Sequence, residues 1–169
     1  KLDPAAIDFA GGTAIHINAG VASLALVMVL GKRVGWPNTA MPPHNLPFVM
    51  LGAGILWFGW FGFNGGSALA ADGVAAQAVL NTFVAGAAGM ISWLLIERLR
   101  DGHATTLGGA SGVVAGLVAI TPAAGFVGGL SPIVFGALAS VCCYFAIQLK
   151  GKYGYDDSLD VVGIHMVGG

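Results

Sequence analysis

Asp8-Phe9-Ala10-Gly11-Gly12-Thr13-Ala14-Ile15-His16 lies near the start of the chain, and Asp157-Ser158-Leu159-Asp160-Val161-Val162-Gly163-Ile164-His165 lies at its other end on the same spacing. In both copies an Asp precedes a His by eight residues, an Ile stands before the His, and a Gly follows four residues later, at Gly20 and Gly169. Both histidines sit in apolar stretches. An ionisable side chain at membrane depth marks a functional site by default, commonly on a path for an ion or a proton.

Composition supports the membrane reading. Of 169 residues, 56% are hydrophobic and 9% charged, whereas a soluble domain carries about 25% charged residues. Too few charges remain to cover a water-facing surface, so lipid is the solvent. A net charge of -1 excludes a nucleic-acid partner, which needs a basic surface. The 28 glycines let helices approach closely within a bilayer. Cys142 and Cys143 are neighbours in an apolar run; on a helix they point apart, which makes them poor disulfide partners and small packing residues. The Lys1-Leu2-Asp3-Pro4 start shows no basic region ahead of a short apolar stretch, so no secretory leader is read there.

A membrane helix needs about 20 mostly apolar residues. Residues 1–169 read as a single transmembrane region with five such segments, over 9–31, 46–71, 74–96, 106–123 and 132–149. A sixth, 158–169, is too short to cross. The breaks carry turn chemistry: Pro37, Pro42, Pro43 and Pro47, then Asp72-Gly73, then Asp101-Gly102, then Pro122 with Gly125, Gly128 and Gly129, then Gly151 to Asp156. With alternating spans, Lys32, Arg33, Arg98, Arg100, Lys150 and Lys152 all fall on one side, and the loops around Asp72 and Gly125 to Leu130 carry no Lys or Arg. The positive-inside rule makes the basic side cytoplasmic. The first helix then runs inward and the sixth outward.

That orientation gives the repeated motif a geometry. An Asp at a helix start accepts hydrogen bonds from free N–H groups of the first turn, so Asp8 and Asp157 are read as caps at opposite membrane faces. At 1.5 Å per residue each His lies roughly 12 Å inward from its Asp. Both imidazoles thus approach the midplane from opposite sides, the geometry of inverted repeats that share a site. A dry setting disfavours imidazolium. Two neutral rings in contact share one N–H···N bond and keep one donor and one acceptor for a small polar guest. The plain alternative is that each His only satisfies a helix–helix hydrogen bond.

Trp57 to Ser67 forms a second constellation. Trp60, Phe63 and Ser67 stand at i, i+3 and i+7 on one helix face; ring faces attract cations and a hydroxyl accepts from an N–H donor. The plain alternative is an aromatic belt at the membrane interface. His44 and His103 fall in loops and are read as solvated or structural. There is no HExxH, no P-loop and no Cys-based metal spacing, so neither an enzyme, a metal nor a cofactor is expected.

Asp8–Asn18 (DFAGGTAIHIN), Trp60–Ser67 (WFGFNGGS), Thr106–Pro122 (TLGGASGVVAGLVAITP) and Asp156–Gly169 (DDSLDVVGIHMVGG) together resemble the motifs of the ammonium transporter family, the Amt/MEP/Rh superfamily, and of its bacterial Amt branch in particular. The resemblance covers essentially the whole chain. It implies an all-α membrane protein of eleven helices in two inverted halves, with one pore per subunit and a homotrimer in the cell membrane. This chain would be a fragment holding the fifth to ninth helices and part of the tenth. His16 and His165 match the family's twin pore histidines, Ser67 the hydroxyl of the outer ammonium site, Phe63 one of two gate phenylalanines and Trp60 a pore-lining Trp. Asp8 matches a carboxylate that organises its helix end, Asp157 is its repeat mate, and Thr121 resembles a Thr near the outer vestibule. The first four helices are missing, as is the cytoplasmic tail through which family members meet PII signalling proteins.

The resemblance implies ammonium transport: NH4+ is caught at Ser67 and the rings, gives up a proton, and NH3 passes the histidines with or without that proton. Three rivals stand beside it: an Rh-like passive channel for NH3 or CO2, an ammonium sensor, and, in another class, a redox protein holding haem between His16 and His165 as axial ligands.

Overall fold

The structure, a computed structural model, describes residues 6–169; the Lys1–Pro4 start lies outside the described residues. Among the described residues all regular structure is helical: α1 Gly12–Leu30, α2 Leu46–Gly66, α3 Gly73–Arg100, α4 Thr106–Ile120, α5 Ser131–Ile147, a short α6 Leu149–Tyr153, and a π-helical turn Val162–Met166.

Each start has a local cause. Gly11 takes a left-handed φ of 78°, turning the chain into α1. The Asp8 carboxylate, three residues ahead of that cap position, accepts from Thr13 N and Ala14 N at 3.1 Å each, satisfying two of the helix's orphan donors. Asn45 caps α2 by accepting from Phe48 N at 3.1 Å. Asp72 caps α3, accepting from Val74 N and Ala75 N at 3.0 and 3.1 Å. Thr105 caps α4 through Gly108 N at 2.9 Å, and is itself held by the buried Glu97, which accepts from Thr105 N at 2.7 Å.

The ends differ from the hydropathy reading for identifiable reasons. α1 begins at Gly12 rather than residue 9, because Asp8 to Gly11 are spent on its entry turn. α2 stops at Gly66 rather than 71, where Ser67 caps it and Leu69 takes a φ of 59°. α3 continues to Arg100 instead of 96, since the buried Glu97 is anchored on Thr105 N, while Arg98, Leu99 and Arg100 beyond it are exposed. The all-helical membrane architecture is as expected, with one of the five expected apolar segments forming a shorter helix than the rest. Four helices are long and apolar enough to cross, counting α5 and α6 as one stretch, Ser131–Tyr153. α4 has 15 residues, roughly 22 Å at 1.5 Å per residue, against a hydrocarbon core of about 30 Å. Pro122 has no N–H to continue the ladder, so the chain breaks into turns after Thr121, which itself keeps helical backbone at φ -53° and ψ -43°.

α4 forms the centre. Leu117, Val118 and Ile120 are fully buried, and a Cβ on Gly112 would stand 2.6 Å from Trp93 Cβ of α3. Ser140 of α5 donates to Gly89 O of α3 at 2.8 Å, so three helices meet on small residues. α2 is tied to α3 by the fully buried Asn64, whose Nδ2 donates to Thr82 Oγ1 at 2.9 Å. Cys143 is buried and Cys142 exposed; both are free thiols.

The six basic residues collect at one end. Tyr144 Oη donates to Asp101 Oδ2 at 2.7 Å, joining the ends of α3 and α5. Arg33 pairs with Asp156, joining the end of α1 to the loop after α6.

Candidate functional site

His16 is the fifth residue of α1, in the second turn, so the site lies nearer the Asp8 end of that helix than its middle. The segment carrying His165 runs antiparallel to α1. Arg33 meets Asp156, a Cβ on Gly20 would meet Met166, His16 meets His165, and a Cβ on Gly169 would stand 2.8 Å from His16 Cβ. One chain descends in number as the other rises.

The second segment is held by its own cap. Asp157 Oδ2 accepts from Val162 N at 2.7 Å, as Asp8 does for α1, although here the helical turn is π-wound. Single π turns inside helices frequently mark functional positions. Neither Asp touches the rings; each stands at the entry to the helical segment that presents a histidine.

The two imidazoles meet directly. His165 Nδ1 lies 3.2 Å from His16 Nδ1, with ring centroids 5.2 Å apart and planes at 46°. Two Nδ1 atoms at this distance share one proton. The donor ring is then the Nδ1–H tautomer with a bare Nε2, and the acceptor ring carries its proton on Nε2. The pair therefore offers one acceptor and one donor on its far nitrogens. His16 is 5% exposed, and its Nε2 has no hydrogen-bond partner among the described residues. A buried polar atom left open is costly and calls for an explanation.

Aromatic rings enclose the pair. Trp60 stacks on His16, centroids 5.3 Å apart and planes 22° from parallel. Phe63 meets His16 edge-on at 6.1 Å and Trp60 edge-on at 5.7 Å. Trp60 is fixed by its indole N–H, which donates to Thr121 Oγ1 at 2.8 Å; Thr121 in turn donates to Leu117 O at 2.6 Å. Thr121 therefore enters the arrangement through Trp60. Ser67 is one turn beyond Phe63 and donates to Phe63 O at 2.7 Å. Its proton is committed, which leaves the oxygen as an acceptor suited to an N–H donor.

The direct Nδ1···Nδ1 contact is the arrangement of a hydrogen bond. Imidazole–metal bonds run about 2 Å each, which would set two axial nitrogens ~4 Å apart across one iron. Among the described residues no three His, Cys, Asp or Glu side chains gather as a metal cage.

Two features escaped the sequence reading. Asn64 lies within the Trp60–Ser67 motif yet is fully buried against Thr82; an Asn in an apolar helix was the available signal. The Arg33–Asp156 pair joins residues 123 apart, and no local pattern announces it.

With this geometry in place, the chain can be set beside known proteins. A sequence model of the Ammonium Transporter Family matches residues 2–169. An ammonium transporter of Mycobacterium tuberculosis is 65% identical over 164 residues, 97% of this chain and 34% of that protein. One from Aquifex aeolicus is 57% identical over 165 residues, 97% of this chain and 38% of that protein. The crystal structure of Candida albicans Mep2 superposes with a TM-score of 0.89 at 41% identity, over 96% of this chain and 37% of the Mep2 chain. The chain thus spans little more than a third of the length of these relatives.

Proposed function

Since this chain belongs to the ammonium transporter family and carries four helices fit to cross a bilayer, it is part of a multi-pass membrane protein, and we propose that the full-length protein carries ammonium across the membrane past His16 and His165. The reading rests above all on one observation: two imidazoles from antiparallel segments stand 3.2 Å apart, walled by Trp60 and Phe63, with His16 Nε2 unpartnered among the described residues.

The chemistry follows from desolvation. Stripping water from NH4+ is expensive unless hydrogen bonds and ring faces replace it. Ser67 Oγ and the ring of Phe63 contribute that replacement at the entrance, while Trp60, stacked on His16, lines the passage itself. Beyond the entrance the passage is dry and favours the neutral species, so the ion hands a proton to water at the entrance and NH3 continues. The proton crosses separately along the histidine pair: it is taken up at the bare Nε2 of one ring, passed through the shared Nδ1 contact and released from the Nε2–H of the other. The net cargo is therefore NH4+. At the histidines NH3 donates to the bare Nε2 of one ring and accepts from the Nε2–H of the other. The shared Nδ1 proton keeps the two rings complementary without charging either. Asp8 and Asp157 hold the two entry turns. Membership of the ammonium transporter family supports the further proposal that the full-length protein is a homotrimer able to meet a PII-type signalling protein.

A rapid ammonium jump on the full-length protein, reconstituted on a solid-supported membrane, tests the reading. The expected result is a transient inward positive current that saturates with ammonium concentration. Passive gas conduction would give ammonia flux with no current at all, and a Soret band in the purified protein would point to haem between the histidines.

A further inference from the structure

The spacing of the two imidazoles depends on how α1 is set along the segment that carries His165. The two segments approach closely at glycines: a Cβ on Gly20 would meet Met166, and one on Gly169 would meet His16 and Ile17. Glycine surfaces permit such approach; the polar contacts add a fixed direction to it. Among the described residues, the side-chain hydrogen bonds between residues 12–33 and 156–169 are the histidine contact itself and the bonds between Arg33 and Asp156.

Those bonds form a complete clamp. Arg33 Nε donates to Asp156 Oδ2 at 2.9 Å, Nη2 donates to Oδ1 at 2.7 Å, and the Arg33 backbone N–H donates to Oδ2 at 2.8 Å. The Asp156 side chain is fully buried, while that of Arg33 is 43% exposed. A two-pronged guanidinium–carboxylate pair fixes orientation as well as distance. Hydrogen bonding to the guanidinium holds the Asp156 carboxyl below the usual carboxylate range.

The turn after Asp156 is gripped from its other side. Lys150 of α6 pairs with Asp160 at 2.5 Å and donates to Asp157 O at 3.4 Å. Asp160 itself takes a left-handed φ of 58°, a conformation that costs most residues energy and that Asp tolerates. Its carbonyl accepts from Ile164 N at 2.9 Å, at the start of the π turn. Residues 156–160 are therefore a rigid block between α1 and α6, and the helical turn bearing His165 grows directly from it.

We propose that Arg33 and Asp156 are positioning residues: their clamp sets the register of α1 against the 156–169 segment and thereby holds His16 and His165 in hydrogen-bond contact. They lie at the basic end of the helices, away from the rings, and act through the histidines. The inference builds on the proposed role of the histidine pair, yet its geometric half stands without it.

The test uses the full-length protein with Arg33→Gln and Asp156→Asn, and Arg98→Gln as a control at the same basic end. Two readouts are taken: the 15N–15N coupling across the His16–His165 hydrogen bond, and the ratio of methylammonium to ammonium conduction. Both clamp variants are expected to lose the coupling and to change the ratio by at least about threefold, the order of effect of loosening one hydrogen bond, while Arg98→Gln changes neither. If Arg33→Gln does not fold, Arg33→Lys is measured instead; it keeps the charge, loses the fork, and is expected to weaken the coupling and move the ratio in the same direction. Coupling and ratio that match the unaltered protein would overturn the proposal, as would variants that only lower the yield of folded protein. Lost coupling in a protein that conducts no ammonium before substitution would leave the clamp standing and overturn the transport reading.

Discussion

His16→Ala in the full-length protein is expected to lower ammonium conduction by about 10- to 100-fold, the effect of losing hydrogen bonding worth roughly 1.5–3 kcal/mol to a polar or charged guest. The substitution removes three things together: the Nδ1 contact to His165 at 3.2 Å, the buried Nε2 that has no partner among the described residues, and the ring on which Trp60 stacks. His165 Nδ1 is left without its mate, and the passage gains empty volume in place of a hydrogen-bonding wall. The protein should still fold, since His16 contributes no cap and its ties to other segments are one hydrogen bond to His165 and ring contacts with Trp60 and Phe63. Uptake of ammonium and methylammonium by cells or vesicles, normalised to folded protein, reads the effect. Unchanged uptake with unchanged selectivity would reduce His16 to packing.

Gly20→Val should be the most damaging of the single changes considered. A Cβ at position 20 would lie 2.5 Å from both Met166 Cβ and Met166 N. Because one of these atoms is backbone, rotating a side chain does not relieve the clash; α1 and the π turn must separate. Overpacking a tight contact costs about 1–3 kcal/mol, and the β-branch places this change at the upper end. Position 20 is one helical turn from His16, so separation also pulls the imidazoles apart. The expected outcome is a lower midpoint of thermal denaturation in detergent together with loss of ammonium conduction in the surviving folded protein. Full conduction at normal stability would show that the close approach of α1 to the 156–169 segment is unimportant.

Hydropathy made the helices legible because lipid demands about 20 apolar residues per crossing, and the Asp–His repeat was visible because it is local. The ends were less legible. A window of apolar residues does not distinguish the entry turn at Asp8–Gly11 from α1 itself, nor does it register that Pro122 stops α4 after 15 residues. The π winding of Val162–Met166 was hidden because five residues are too few to separate α from π periodicity. At the candidate site, the shared face of Trp60 and Phe63 followed from helical spacing. The bond from Trp60 to Thr121 and the clamp from Arg33 to Asp156 did not, because tertiary packing alone brings residues 61 and 123 apart together. Asn64 was readable in principle: a fully buried amide in an apolar helix needs partners, and Thr82 supplies one for its Nδ2.

The contact between the imidazoles is open to direct observation. Nitrogen-15 magnetic resonance of the full-length protein in lipid, with labelled histidine, should show a through-hydrogen-bond coupling between His16 Nδ1 and His165 Nδ1, with one of the two protonated. Two uncoupled Nδ1 atoms, each exchanging freely with water, would mean that the rings do not face one another, and the proposed passage between them would not exist.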